Sequence, residues 1–194
     1  MFEKNKINKI QPDLTCPPVK YTAHDPCCPQ IPFTESLCDC CVVPMQYVLQ
    51  QLVGQTVILA TIADTPNAPP LFFLFTITKV NDFLVTVTDG TATYVVNIND
   101  VIGVGFLPPG PTINLLKPVN TQGECDCRER PIRQLLSTLT GTTLNILVQN
   151  GSIAANLNVE QTGLGIVLGT LPISPDTIVR FAISICKITA VQTA

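Results

Sequence analysis

Tryptophan is absent from these 194 residues, histidine occurs once, and charged side chains make up only 13% of the chain. A soluble domain usually carries about 25% charge. Eleven basic residues stand against fourteen acidic ones for a net charge of −3, and neither half of the chain forms the basic stripe that phosphate binding requires. Nucleic acid is therefore not an expected partner. No apolar stretch reaches the roughly 18 residues of a membrane-spanning helix, so no membrane is expected either. The opening MFEKNKINKIQPD is polar, unlike a secretory leader or an amphipathic presequence. The expectation is synthesis in a cytoplasm and export, if any, without a cleaved leader. No carboxylate pair suggests acid–base chemistry. Gly103-x-Gly105 and Gly163-x-Gly165 lie inside β patterns, where they relieve crowding instead of cradling phosphate. His24 in YTAHDPCCPQ could activate Cys27 or Cys28, but a proline-bound segment does not hold such a pair. The reading is a non-enzyme with no cofactor, no metal and no small-molecule substrate.

Apolar residues reach 46%, and 17 prolines, 11 glycines and nine cysteines complete the picture. With so little charge, much of the surface must be apolar or neutral. That suits a protein which buries its surface against copies of itself. Six cysteines, Cys16, Cys27, Cys28, Cys38, Cys40 and Cys41, precede residue 42; Cys125, Cys127 and Cys186 follow much later. An odd count leaves at least one thiol without a mate inside the chain, which invites one on another chain.

The phrase CDCCVVPMQYVLQQLVGQT (38–56) returns as CDCRERPIRQLLSTLTGTT (125–143). Cys38 falls on Cys125, Cys40 on Cys127, Pro44 on Pro131, Leu49 on Leu136, Leu52 on Leu139, Gly54 on Gly141 and Thr56 on Thr143, without a gap. This is an internal duplication. In each copy proline opens, and glycine ends, a short amphipathic helix, Pro44–Val53 and Pro131–Thr140. Strand signals follow at 56–62, 71–80, 83–88 and 93–106, then at 143–149, 152–160, 164–171 and 177–191. Hairpin turns are expected at Asn81-Asp82, Asp89-Gly90, Asn150-Gly151 and Thr162-Gly163. The last strand of each copy is long, and Asn99-Asp100 or Ser184 marks a bend that divides it. In 152–160, Ile153, Ala155, Leu157 and Val159 share one face, as a half-buried antiparallel strand requires. Before the first copy, Pro12, Pro17, Pro18, Pro26, Pro29 and Pro32 forbid regular structure. Between the copies, Pro108, Pro109, Pro111 and Pro118 make a semi-rigid spacer whose Ile113, Leu115 and Leu116 should dock on the folded parts.

One helix and five antiparallel strands in each copy, with the phrase P-x-x-x-L-x-x-L-x-G-x-T-V and an ending like YVVNINDVIGV, resembles the Sm-like small barrel. The Cys-rich, Pro-rich front is similar to that of spore coat and exosporium proteins of Bacillus-type spore formers. The resemblance implies an all-β fold with two short helices. Together with the proline pattern it divides the chain into a Cys/Pro-rich extended arm (1–41), Sm-like barrel 1 (42–107), a Pro-rich linker (108–124) and Sm-like barrel 2 (125–194). The resemblance, over about 38–107 and 125–194, implies five antiparallel strands for each barrel. The RNA-binding motifs of that family are missing, with no Asp-x-x-Met-Asn and no Arg-Gly at the matching places, so no RNA-binding residue is carried over.

The cysteines are weighed in two ways. Cys38, Cys40, Cys125 and Cys127 could offer zinc four thiolates, but structural zinc favours Cys-x₂₋₄-Cys over Cys-x-Cys. The favoured reading makes Cys16, Cys27, Cys28, Cys38, Cys40, Cys41, Cys125 and Cys127 candidates for inter-chain disulfides, with Cys186 an inert buried thiol inside a strand. Phe72, Phe73 and Phe75 could stack bases but read as core or interface. The expected function is structural: a self-assembling, disulfide-reinforced block of a spore-surface layer or fibre, made in the mother-cell cytoplasm. Its partners would be copies of itself and other coat proteins. The alternative is a soluble Sm-like binding module for nucleic acid or a coat protein.

Overall fold

The computed structural model describes residues 38–66, 68–108, 110–118, 124–174 and 176–192, and these belong to one compact unit. Residues 1–37, with the polar N-terminus, His24, Cys16, Cys27 and Cys28, lie outside the described residues. The fold is mostly β, with a few short helices.

Both copies begin with a helical turn, π-type over Cys38–Val42 and the α-helix α2 over Glu124–Arg128. These turns lead into helices α1 (Val43–Gln51) and α3 (Arg130–Thr138), each with proline in its first turn. The arm was expected to run extended to residue 41, but helix begins at Cys38; the expected end of the linker, 124, is where α2 begins. The reason lies in the burial of Cys40, Cys41 and Cys125. Leu49 and Leu136, equivalent by sequence, are both fully buried. Both helices stop alike. Leu52 N–H donates to Leu49 O and Leu139 N–H to Leu136 O, after which Gly54 (φ 84) and Gly141 (φ 82) turn the chain left-handed. Their N–H groups reach Ile77 O and Val159 O, equivalent residues of the following sheet.

The strands are β1 (Thr56–Thr61), β2 (Phe72–Asn81), β3 (Leu84–Thr88), β4 (Thr93–Asn97) and β5 (Val101–Phe106), then β6 (Thr143–Val148), β7 (Ile153–Gly163), β8 (Ile166–Ser174), β9 (Thr177–Ser184) and β10 (Ile188–Gln192). The 3-10 turns Ile98–Asp100 and Ile185–Lys187 divide the last strand of each copy at the expected bends. All ten strands form one antiparallel sheet in the order β10-β6-β7-β8-β9-β5-β1-β2-β3-β4. Each half contributes the same internal order, its fifth strand beside its first. The sheet is not closed, which corrects the expectation of two closed barrels. β5 bonds to β9 of the other half in place of its own β4.

Two apolar cores result. One gathers Leu49, Leu52, Val57, Leu59, Ile77 and Val104, with Ile166, Leu168 and Ala182 from the second half. The other gathers Leu136, Ile146, Leu157, Val167, Phe181 and Ile183, with Ile58 and Ile102 from the first. Neighbours along a strand point to opposite faces. Val57, Ile58 and Leu59 alternate between the cores, as do Ile166, Val167 and Leu168. Strands buried on both faces read as continuous apolar runs, which explains VIGVGF.

Local differences from the sequence reading have local causes. The β2–β3 hairpin turns on Asp82 (φ 50) and Phe83 (φ 58), one residue beyond Asn81-Asp82. The β7–β8 hairpin turns on Leu164-Gly165 in place of Thr162-Gly163. In β7 only Leu157 and Val159 of the expected face are buried, and Ile153 is 62% exposed. The parity changes at a bulge where Asn156 takes φ 58 and the β6 register shifts between Leu144 and Ile146. Leu74 (φ 60) makes the matching bulge in β2, opposite a shift between Val57 and Ile58. The spacer docks as expected: Ile113 is buried in the first core, Leu115 packs against it, and Gln51 bonds both the N–H and the carbonyl of Asn114.

Candidate assembly interface

The halves meet at β5 and β9 in the register Gly103↔Ile183, Val104↔Ala182, Gly105↔Phe181 and Phe106↔Arg180. The two glycines of β5 make room for the Phe181 ring. A Cβ at Gly103 would lie 3.1 Å from Phe181 Cε1, and one at Gly105 2.6 Å from Cδ2. Arg180 places its guanidinium 5.7 Å from the Phe106 ring centroid and donates to Glu160 at 2.7 Å. That ion pair is partly exposed, so it orients the arginine more than it stabilises the junction. Asn150 Nδ2 donates to the carbonyls of Thr61 and Asp64 at 3.2 and 3.3 Å, closing the seam at its other side.

Cysteines lock this junction. Cys40 is bonded to Cys125 across 85 residues, and Cys41 to Cys186 across 145, with Cα–Cα distances of 5.9 and 5.7 Å. All four residues are buried, and the Cys40 and Cys41 sulfurs lie 3.7 Å apart. Three inter-chain candidates, Cys40, Cys41 and Cys125, are thus bonded within one chain. Cys186, expected to be an inert thiol, is the fourth member. Burial explains this correction: the helical turns place these sulfurs inside the seam, within reach of one another. The four-thiolate set Cys38, Cys40, Cys125 and Cys127 is likewise divided, because two of its members bond each other. Cys38 is half-buried with a free thiol. Cys127 is exposed, and its thiol donates to the carbonyl of Glu124 at 3.4 Å.

Two residues at the junction escaped the sequence reading. Glu129 is fully buried. Its Oε1 accepts from Arg133 Nε at 2.7 Å and from the Gly165 N–H at 3.0 Å, while Oε2 has no partner among the described residues. A signal existed, since the duplication aligns Glu129 with the buried Val42. Gly165, at φ 67, brings its Cα against the Cys40 carbonyl and the Pro44 ring. A side chain there would strike the backbone that carries the disulfides.

The outer edges of the sheet are β4 and β10. Their sequences, TYVVN and ITAVQ, contain no charge and no proline, the devices by which edge strands are usually protected. Val95 is 64% exposed and Tyr94 44%. Leu84 on the adjacent β3, Phe73 and Leu74 on β2, and Leu71 just before β2 are also exposed. Phe72 and Phe75 are buried and meet Tyr94 edge-on at centroid distances of 5.3 and 5.9 Å, which makes them core. Among the described residues, no helix is long and apolar enough to cross a membrane.

No known protein family, no curated protein and no solved structure matches the chain.

Proposed function

We propose that this protein is a structural, self-assembling building block of a spore-surface layer or fibre, reinforced by disulfides between chains and made in the mother-cell cytoplasm. The observation that carries the reading is the sheet itself. Its halves are already joined edge to edge, and the edges left over among the described residues, β4 and β10, carry neither charge nor proline. An unpaired strand edge presents a row of N–H and C=O groups that another strand can satisfy, and here the exposed apolar residues beside β4 add area to the contact. Low charge, which would burden a monomer, suits a chain whose outer strands are covered by neighbours. Each half is read as an Sm-like unit. The helix followed by five strands, with the fifth beside the first, supports that likeness, and the absence of a basic surface weighs against nucleic acid as a partner.

The test is sedimentation and negative-stain microscopy of the oxidised full chain beside Val95→Lys. Wild type should form large regular assemblies. The charge on β4 should return the chain to a 20.9 kDa monomer with unchanged circular dichroism. A wild type that stays monomeric at every concentration, or that binds RNA tightly with a steep salt dependence, would overturn the proposal.

A further inference from the structure

The duplication makes the junction inside the chain a template for a junction between chains. The alignment that places Gly54 on Gly141 also places the 3-10 turn Ile98–Asp100 on Ile185–Lys187, and so β5 on β10 and the strand 94–96 on 181–183. The internal junction joins β5 of the first half to β9 of the second. Its counterparts are β10 of one chain and β4 of the next. Carrying the register across gives Ala190 opposite Val96, Val191 opposite Val95 and Gln192 opposite Tyr94 of the next copy.

The same operation acts on the cysteines. Internally, the first half supplies Cys40 and the second Cys125. In the repeat, Cys40 corresponds to Cys127 and Cys125 to Cys38. Resting on the self-assembly reading, we infer that β10 of one chain pairs with β4 of a second copy in this register, and that Cys127 of the first forms a disulfide with Cys38 of the second. The strand rule and the cysteine rule point in the same direction: the second half of one chain meets the first half of the next in both. The surface positions agree, with Cys127 exposed and Cys38 half-buried. The second internal disulfide has no counterpart, since Cys41 aligns with Arg128 and Cys186 with Asn99. One covalent bond per junction is the result.

The glycine slot also changes in a consistent way. Ala190 and Gln192 stand where β5 has Gly103 and Gly105, so β10 offers no slot for a ring. Tyr94, in the place of Phe181, lays its ring against Phe72 and Phe75 of its own half and asks for none.

The bond forms by exchange with a small-molecule disulfide such as oxidised glutathione. The Cys127 thiolate attacks it, releasing one thiol. The Cys38 thiolate of the next copy then displaces the second, so two protein thiols are oxidised and one disulfide is reduced to two thiols. A junction that uses different surfaces on its two sides is heterologous. It propagates head to tail into a ring or a helical filament.

The experiment mixes isotopically light and heavy full-length chains, oxidises them with glutathione disulfide, blocks remaining thiols and digests without reduction. Enzymes that cut before aspartate and after glutamate separate Cys38 from Cys27 and Cys28 at Glu35 and from Cys40 at Asp39, and Cys125 from Cys127 at Asp126. The expected product is a Cys38–Cys127 peptide, about half of it with one light and one heavy strand. Cys127→Ser should erase the ladder at multiples of 20.9 kDa on a non-reducing gel but leave the particles intact by sedimentation. Finding Cys127 joined to Cys16, Cys27 or Cys28 in assemblies that still form would overturn this inference and spare the functional reading. A Cys38–Cys127 peptide that is only all-light or all-heavy, formed within one chain, would overturn it too. Chains that never associate would overturn both. Should Cys127→Ser misfold, Val95→Lys reports separately: it should abolish both particles and ladder, and a ladder that survives it refutes the register.

Discussion

Removing the Cys41–Cys186 disulfide, by Cys41→Ala with Cys186→Ala, tests how far the junction depends on its cross-links. Taken alone, this bond closes a loop of 145 residues, against 85 for Cys40–Cys125. The bonds are not independent, because Cys40 and Cys41 are adjacent. With Cys40–Cys125 intact, the path from Cys41 to Cys186 through that bond is only about 62 residues, and the chain-entropy treatment gives a loss of about 4 kcal/mol in place of about 5. The same shortened loop applies when Cys40–Cys125 is removed and Cys41–Cys186 kept. Both single removals should therefore cost about 4 kcal/mol despite their unequal separations. Against a whole-fold stability of about 5–15 kcal/mol, losing both should leave little folded protein. The assay is guanidinium unfolding of oxidised protein at low concentration, followed by far-ultraviolet circular dichroism. A loss below about 1 kcal/mol for either pair would refute the reasoning, since it would mean that the loops are not closed by these bonds in the unfolded chain.

Gly165→Ala should cost about 3 kcal/mol or more in the same unfolding assay, because it adds left-handed strain to a clash with the Cys40 carbonyl; a change within about 0.5 kcal/mol would contradict the packing described. Glu129→Ala should cost about 3–5 kcal/mol by stranding Arg133, whereas Glu129→Val with Arg133→Leu, closer to the pattern of the first half, should recover most of the loss. Equal losses in the two variants would show that the pair is not what holds α3. Half-burial lowers the pKa of Lys187 below 10.5, so the fold disfavours its ammonium form. Wild type should gain stability as pH rises through the folded pKa toward 10.5, and Lys187→Met should be the more stable protein at neutral pH and lack that rise; matching pH profiles would refute this.

The duplication, both helices and the division of the last strands were legible because each depends on near neighbours in sequence. Proline opens a helix, glycine ends it, and Asn99-Asp100 or Ser184 interrupts a strand, whatever lies across the sheet. The junction was not legible. Whether β5 pairs with β4 of its own half or β9 of the other depends on contacts far apart along the chain, and both partners satisfy the same backbone groups. The disulfides were hidden for a related reason. Cys-x-Cys is identical in the two copies, yet the chain uses the second cysteine of one and the first of the other. Spacing cannot express that asymmetry, which arises from the heterologous way in which the halves meet. The bulges at Leu74 and Asn156 were lost because leucine gives no sign of a left-handed backbone, and because alternation was assumed to run unbroken through β7.

The inequality between the two junctions follows from how the chain must build itself. Within one chain the spacer holds β5 and β9 together, so pairing escapes most of the cost of association, about 4–15 kcal/mol, that separate molecules meet. Two disulfides then fix it, one of them through Cys41 and Cys186, which the duplication did not copy. The proposed contact between chains would have no spacer, only three register pairs on β10 and one cysteine pair. Such a contact is weak before oxidation and forms readily only at high local concentration. Under the proposed assembly the order of events follows from the sequence: each chain completes its own sheet first, and chain-to-chain pairing follows. Had Cys41 and Cys186 both been duplicated, the two junctions would bear the same cross-links, and a chain could as readily be locked to a neighbour before its own halves had joined. On the proposed assembly, Arg128 and Asn99, standing where those two cysteines would have been copied, would keep the steps apart.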